Sequence, residues 1–322
     1  MGLPEEAPAT MTSRTPNFFI VGAAKSGTTS VARYLAEHPQ VYMSPIKEPS
    51  YFARDIIPSL EAENWARNQR GLQRYLNGPM LTPRGGCVLE WEPYLRLFAT
   101  VNGEKAIGEA STAYLISPRA PSDIRSAIPH ARIIIMLRSP IERAFSTYLM
   151  FCRNGRLRAS FSDVLQCTGS CALSEWRRMI LETRIVAPGV ERFLTTFPGS
   201  QIRWYLYEDL STDPLAVMRN MYGFLEVECD FHPDVSRRYN EHMLPRAPLL
   251  HRAIHTTSLS EIAHRVIPAK ARPLLRRVFF HTGPAPSLTP ADHAILADYF
   301  RNDVTELSRL LQRDLSHWLR PR

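Results

Sequence analysis

Two unbroken apolar runs dominate the hydropathy pattern. Phe18-Phe19-Ile20-Val21 ends at Gly22, and Ala131 to Leu137 reads Ala-Arg-Ile-Ile-Ile-Met-Leu. Runs of this length without alternation suit strands of a parallel sheet covered on both faces. Thr28 to His38 follows the first run with Val31, Tyr34 and Leu35 at helical spacing, and a helix starting at Pro140 follows the second. Val41–Met43, Lys105–Glu109 and Gln201–Tyr207 read as further strands, and Trp65–Tyr75, Pro93–Phe98 and Pro214–Leu225 as helical. Thr289-Pro290-Ala291-Asp292 combines a capping hydroxyl, proline in the first turn and an acid. Leu296, Phe300, Val304, Leu307 and Leu311 then predict one long closing helix. Strands spaced by helices predict an α/β protein, a three-layer α/β/α sandwich on a central parallel sheet. The expected organisation is a disordered tail over 1–16 and one domain over 17–322, with irregular insertions near 55–101 and 242–288 rather than separate domains.

The 322 residues carry 44% hydrophobic and 22% charged side chains, which excludes wholesale disorder. Five cysteines are too few for a disulfide scaffold; Cys167 and Cys171 are spaced either to pair or to share a helix face. No clustered ligand set points to a metal. No apolar run reaches the ~18–20 residues of a membrane span. The first residues hold acids and prolines rather than a signal peptide, so the expected location is the cytoplasm. The net charge of +8 suits an anionic ligand but equally a nucleic acid. Nearly all of the positive charge is arginine; Lys25, Lys47, Lys105 and Lys270 are the only lysines.

One of these lysines stands in a glycine-bounded loop. Gly22-Ala23-Ala24-Lys25-Ser26-Gly27-Thr28-Thr29-Ser30 leads from a strand into a helix. Such a loop turns successive N–H groups inward, and the helix terminus adds partial positive charge, so the concavity favours an anion. The glycine spacing is that of a nucleoside-triphosphatase loop, but Thr28 stands where its lysine would be. Lys25 lies three positions earlier and meets the terminal group from another side.

The second strand ends in Arg138-Ser139-Pro140-Ile141-Glu142-Arg143, with Ser146 beyond. Ser139, Pro140 and Glu142 predict a capping box. Arg138 then falls at the carboxyl end of a parallel strand, where open α/β sheets bind ligands. Arg143 and Ser146 share a helix face. An arginine fork with a hydroxyl can grip a phosphate, although Arg143 alone reads as part of a solvated arginine face.

Together the two motifs resemble the sulfotransferase family, which uses 3′-phosphoadenosine 5′-phosphosulfate (PAPS). The lysine loop is similar to that family's 5′-phosphosulfate loop, making it a P-loop-like element, and Arg138-x-Pro140-x-x-Arg143-x-x-Ser146 to its 3′-phosphate motif. Lys47-Glu48-Pro49-Ser50-Tyr51-Phe52, Gly108 to Leu115 and Tyr207-Glu208-Asp209-Leu210 extend the likeness over Asn17 to Leu225. The resemblance implies that Lys25 holds the oxygen bridging phosphate and sulfuryl group. It implies that Ser26, Gly27, Thr28, Thr29 and Ser30 line the 5′-phosphate site, and that Arg138 and Ser146 bind the 3′-phosphate. In the carbohydrate branch, Lys-Glu-Pro-His-Phe-Phe carries a catalytic glutamate, which matches Glu48; Ser50 replaces the histidine. Glu48 is thus the candidate general base, the bland alternative being an ion pair with Lys47 or an arginine.

Other residues read more plainly. Glu109 either lines the acceptor cleft or forms a structural ion pair. His242, His251, His255 and His281 lie in a Pro/His/Arg stretch, and none is assigned to catalysis; Arg246 is a weak candidate donor contact. Tyr207-Glu208-Asp209 suits packing and the start of a helix. The expected function is transfer of a sulfuryl group from PAPS, without a metal, to a hydroxyl of a small-molecule, lipid or sugar acceptor, with an amine as the other possible nucleophile. A bacterial cytoplasmic enzyme of secondary metabolism fits best. A small-molecule or nucleotide kinase would need a metal-holding acid at a strand end and the lysine after the second glycine, and neither is present. A nucleic-acid-binding module would cluster its arginines with aromatics on one element; here they are scattered.

Overall fold

The computed structural model describes residues 15–56, 75–76, 78, 80, 84–167, 169, 171–236, 244–245, 280–281 and 288–321. The expected tail over 1–14, the helical patch over 65–74 and most of the Pro/His/Arg stretch, with His242, Arg246, His251 and His255, lie outside them. The strands are β1 (Phe18–Gly22), β2 (Val41–Met43), β3 (Ile46–Lys47), β4 (Arg84–Gly85), β5 (Ala106–Ala110), β6 (Arg132–Leu137), β7 (Ile202–Leu206), β8 (Leu244–Pro245) and β9 (Phe280–His281). The α-helices are α1 (Thr28–Ala36), α2 (Trp91–Arg96), α3 (Ala120–Ala127), α4 (Pro140–Arg153), α5 (Phe161–Gln166), α6 (Ser174–Leu181), α7 (Ala187–Thr196), α8 (Tyr207–Thr212), α9 (Pro214–Leu225), α10 (Pro290–Tyr299) and α11 (Arg301–Leu311).

The main sheet has the order β2-β5-β1-β6-β7, and every pairing in it is parallel. The period of two sorts the apolar runs between two cores. Phe19 and Val21, with Ile133, Ile135 and Leu137, join the cluster under α2, α4 and α7. Phe18 and Ile20, with Ile134 and Met136, face α1 and α9 through Val31, Leu35, Met218 and Tyr222. This is the three-layer α/β/α arrangement, and it explains why neither run could alternate with polar residues.

Several expectations shift. Thr289 caps α10, its side chain accepting from the Asp292 N–H, as the sequence predicts. The single closing helix is instead two, broken at Phe300, although Leu296, Phe300, Val304, Leu307 and Leu311 are all buried. The capping box at α4 does not form: Glu142 turns back to Arg138, and Ser139 Oγ donates to the Trp318 carbonyl at 3.3 Å. The third strand runs Ala106–Ala110 rather than 105–109, which sets Glu109 inside the strand instead of at its edge. Cys167 and Cys171 are disulfide-bonded, while Cys152 and Cys229 are free thiols.

Candidate active site

The site forms where three neighbouring strands end. β1 lies between β5 and β6, and Gly22 pairs with Ile135 one turn before Arg138. The strand order reverses around β1, so its carboxyl end opens a crevice. The loop from Gly22 to Gly27 fills it. A Cβ on Gly22, at φ +151°, would lie 2.7 Å from Leu115 Cβ, and one on Gly27, at φ +83°, would lie 3.0 Å from the Tyr207 ring. Only glycine fits either end. The Ala23 N–H donates to the Met136 carbonyl, pinning the loop to β6.

Lys25 sits within this loop at φ +69°. It is half-buried, and Nζ approaches Met150 Sδ at 3.2 Å. Burial pushes its ammonium down to about 8, with repulsion from Arg153 and Arg184 adding to the effect and Glu48 pulling the other way. The Ser26 hydroxyl is buried without a hydrogen-bond partner. Thr28, Thr29 and Ser30 open α1; the Ser30 N–H turns back to the Gly27 carbonyl at 3.0 Å, and those of Thr28 and Thr29 have no intrahelical acceptor. The loop therefore holds a partly desolvated cation, an unpartnered hydroxyl and free helix donors, a set that fits an anionic phosphate group.

Arg138 follows β6 and is held from three sides. Nε donates to Glu142 Oε2 at 2.7 Å, a terminal nitrogen donates to the Lys25 carbonyl at 3.2 Å, and the guanidinium lies 4.2 Å above the Tyr207 ring. Tyr207 does open a helix, as expected, and also supplies this platform. Ser146 is half-buried further along α4. Arg143 overturns its expectation of a solvated face. It is 1% exposed, its Nε donates to the Ala24 carbonyl at 3.1 Å, and both terminal nitrogens lack partners. It lies on the face of α4 turned toward the loop, which places it beneath the loop's backbone.

Glu48 follows β3 at φ +63°, its N–H held by the Ala110 carbonyl at the end of β5. Lys47 Nζ contacts Glu48 Oε1 at 2.6 Å, and Thr112 Oγ1 donates to Oε2 at 3.2 Å. The side chain is 42% exposed and lines a cleft of about 940 Å³. The ion pair with Lys47 is thus real, and it lies inside the cleft rather than on the outer surface. Ala23, Ala24, Thr29, Thr112, Arg143 and Arg184 share that cleft. Lys25, Glu48 and Ser50 all adopt left-handed backbone without being glycine. Such strain persists where surrounding structure over-determines it, which is common at functional sites.

Glu109 neither forms an ion pair nor lines the cleft. It is fully buried and accepts from Ser111 Oγ at 2.7 Å, from Tyr94 and from Tyr114. Ser111 Oγ in turn accepts from the Ser50 N–H, so this carboxyl anchors the loop that carries Glu48. Burial raises Glu109 from the ordinary 4.5 to about 7, against the lowering effect of its three hydroxyl donors. A raised carboxyl stabilises the fold fully below its unfolded pKa, and that contribution is lost as pH rises through about 7. The loss amounts to about 2–3 kcal/mol between pH 5 and 8. Urea unfolding at the two pH values should show this slope in the wild type and lose it in Glu109→Gln. Equal slopes would mean that Glu109 is ionised in both states.

Arg184 and Thr183 are site residues that sequence reasoning missed. Both line the cleft between α6 and α7, and Arg184 is only 8% exposed. Nothing in Glu182-Thr183-Arg184-Ile185 separates this arginine from the many others in the chain. Among the described residues no group of His, Cys, Asp and Glu could hold a metal, and no helix is long and apolar enough to cross a membrane.

A parallel α/β sheet with a loop suited to an anion and a cationic cleft at its carboxyl edge defines the chain as a three-layer α/β protein with an anion site. Residues 16–233 match the sulfotransferase family, and the chain belongs to it. A crystal structure of a sulfotransferase from Alicyclobacillus acidocaldarius superposes with a TM-score of 0.66 at 29% identity, covering 95% of this chain and all of that one. The bifunctional heparan sulfate N-deacetylase/N-sulfotransferase 3 of Mus musculus is 26% identical over 320 residues, 95% of this chain and 31% of that protein. A membrane-associated sulfotransferase of Dictyostelium discoideum is 29% identical over 134 residues, 41% of this chain and 22% of that protein. The chain spans about a third of the length of the heparan sulfate relatives it matches. These likenesses favour neither a kinase nor a nucleic-acid-binding module.

Proposed function

We propose that this chain is a PAPS-dependent sulfotransferase that transfers the sulfuryl group to a hydroxyl of a small-molecule, lipid or sugar acceptor, acting without a metal. The observation that carries this reading is the convergence, at the ends of β5, β1 and β6, of Glu48, the Lys25 loop and Arg138. Ser26, Gly27, Thr28, Thr29 and Ser30 would hold the 5′-phosphate by backbone and hydroxyl donors. Arg138 and Ser146 would hold the 3′-phosphate, which must share the guanidinium with Glu142.

In this reading Lys25 stands at the oxygen that leaves. As the acceptor oxygen bonds to sulfur, the bond from sulfur to the 5′-phosphate oxygen breaks, and negative charge collects on that oxygen. A cation there stabilises the transition state more than the ground state. Glu48 takes the proton of the attacking hydroxyl, and adenosine 3′,5′-bisphosphate departs. Burial of Lys25 supports this role, since a desolvated ammonium gains most when a new anion forms beside it. The name of the heparan sulfate relatives includes N-sulfation, which supports a sugar as one acceptor class and an amine as the other nucleophile. The wall supplied by Met80, Gly86 and Cys87 supports assigning 55–101 to the acceptor side within one domain. The free thiols of Cys152 and Cys229 suit a cytoplasmic location, and the Cys167–Cys171 bond is the feature that argues the other way.

The donor assignment is tested by calorimetry. Adenosine 3′,5′-bisphosphate should bind about 10- to 100-fold more tightly than AMP, the equivalent of one charge-assisted hydrogen-bonded pair. Equal affinities would remove the 3′-phosphate site and the donor with it.

A further inference from the structure

The cleft contains positive charge that the donor reading leaves unused. Arg143 gives its Nε to the Ala24 carbonyl, while its two terminal nitrogens are buried with no partner. Arg184 donates from Nε at 3.1 Å, and from a terminal nitrogen, to Thr183 Oγ1. That hydroxyl itself donates to the Met179 carbonyl at 2.7 Å. Both guanidinium groups are therefore met by neutral oxygens or by nothing.

Among the described residues one carboxylate acts on Arg143. Asp303 attracts Arg143 through space, but its Oδ1 accepts from the N–H groups of Val186 and Ala187 at 3.0 and 2.8 Å, and its Oδ2 has no partner. Arg138 also acts on Arg143, and Arg184 on Lys25, so positive charge is in excess beside a wall that includes Leu115, Ile116 and Val186. Burial draws Arg143 down to about 9 and Arg184 to about 10, the expected response of cations short of counter-charge. An unpaired buried charge is strongly unfavourable unless something bound to the protein matches it.

Building on the proposed sulfuryl transfer, we infer that Arg143 and Arg184 form a seat for one carboxylate of the acceptor, so that the acceptor is a hydroxy acid. Its hydroxyl faces Glu48 and its carboxylate turns to the two arginines along the same cleft. A planar carboxylate matches the planar guanidinium fork. The proposed phosphate partners are the Lys25 loop and Arg138, and the two arginines share the cleft both with Glu48, Lys47 and Thr112 and with Ala23, Ala24 and Thr29 of the donor loop.

The test is calorimetry on the enzyme saturated with adenosine 3′,5′-bisphosphate. The probes are 6-hydroxyhexanoate, 4-hydroxyphenylacetate and glucuronate, each paired with its primary amide. At least one acid should bind tenfold or more tightly than its amide. Arg184→Met should erase that preference, Arg184→Lys should restore part of it, and the affinity for the bisphosphate should be unchanged in both. Amides that bind as well as acids in all three pairs would overturn the carboxylate seat. So would a parallel loss of bisphosphate affinity in Arg184→Met, because the guanidinium would then serve the donor. If Arg184→Met does not fold, the acid–amide pairs on the wild type decide alone. Failure of the wild type to bind the bisphosphate at all is a separate result, which removes the donor reading and this inference together.

Discussion

Glu48→Gln is expected to lower turnover by ~10²–10⁴-fold, the usual cost of losing a general base. The change should leave the site's architecture in place. Glutamine retains an oxygen for the Lys47 ammonium and the Thr112 hydroxyl, and the Glu48 N–H still reaches the Ala110 carbonyl. Binding of adenosine 3′,5′-bisphosphate should be unchanged, because its proposed contacts lie in the Lys25 loop and on α4. Any acid limb in the wild-type rate that belongs to this base should vanish in the variant. The measurement is a pH–rate profile of both proteins at saturating donor and acceptor. A maximal rate within a few-fold of wild type would reduce Glu48 to a partner of Lys47. An acid limb that persisted in the variant would belong to Glu109, which titrates near neutrality beneath the same loop.

Lys25→Ala should cost ~10²–10³-fold in rate at saturating donor, as removal of one preorganised charge from a developing oxyanion does. Arginine should not rescue it. The loop holds Lys25 at φ +69° with Nζ against Met150, and a planar fork cannot occupy the place of a compact ammonium there. The pKa of about 8 adds a second readout. In the free enzyme half of the ammonium groups have lost their proton at that pH, so kcat/KM for the donor should fall as pH rises through it. Bound phosphosulfate favours the charged form, so kcat should hold to higher pH. A Lys25→Ala enzyme with normal turnover at saturating donor would remove the lysine from the mechanism.

The layers of the fold were legible because their cause is local. A run such as Ile133-Ile134-Ile135-Met136-Leu137 must be covered on both sides, and the two cores on opposite faces of the sheet are the direct result. The Lys25 loop was legible because glycines at 22 and 27 mark its ends. What escaped notice depends on contacts distant in sequence. Arg143 looked solvated because nothing in α4 announces that Ala24 lies against it, 119 residues away. Arg184 had no local signal at all. The capping box failed because Glu142 found a stronger partner in Arg138, a competition that capping rules do not weigh. Glu109 was misjudged by its position: a strand one residue further along turns an edge carboxyl into a core one, and its partners Tyr94 and Tyr114 come from separate turns of chain. The closing helix kept its buried spacing through the break at Phe300, so the apolar pattern alone could not reveal the break.

Asp303 of α11 has a consequence for how this protein can be cut and recombined. The family match ends at residue 233, which invites excision there as a transplantable module. Yet Asp303 ties down the backbone of Val186 and Ala187, at the very segment that carries Arg184 to the cleft. Asp292 likewise accepts from Ser162 at 2.8 Å, and Leu296, Phe300 and Val304 are buried in the same cluster as β1 and β6. A fragment ending at 233 would expose that apolar surface and leave the wall of the cleft without its tether. The physical unit of folding therefore runs past the stretch by which the family is identified, and fusion or truncation designs must carry α10 and α11 along with the catalytic half.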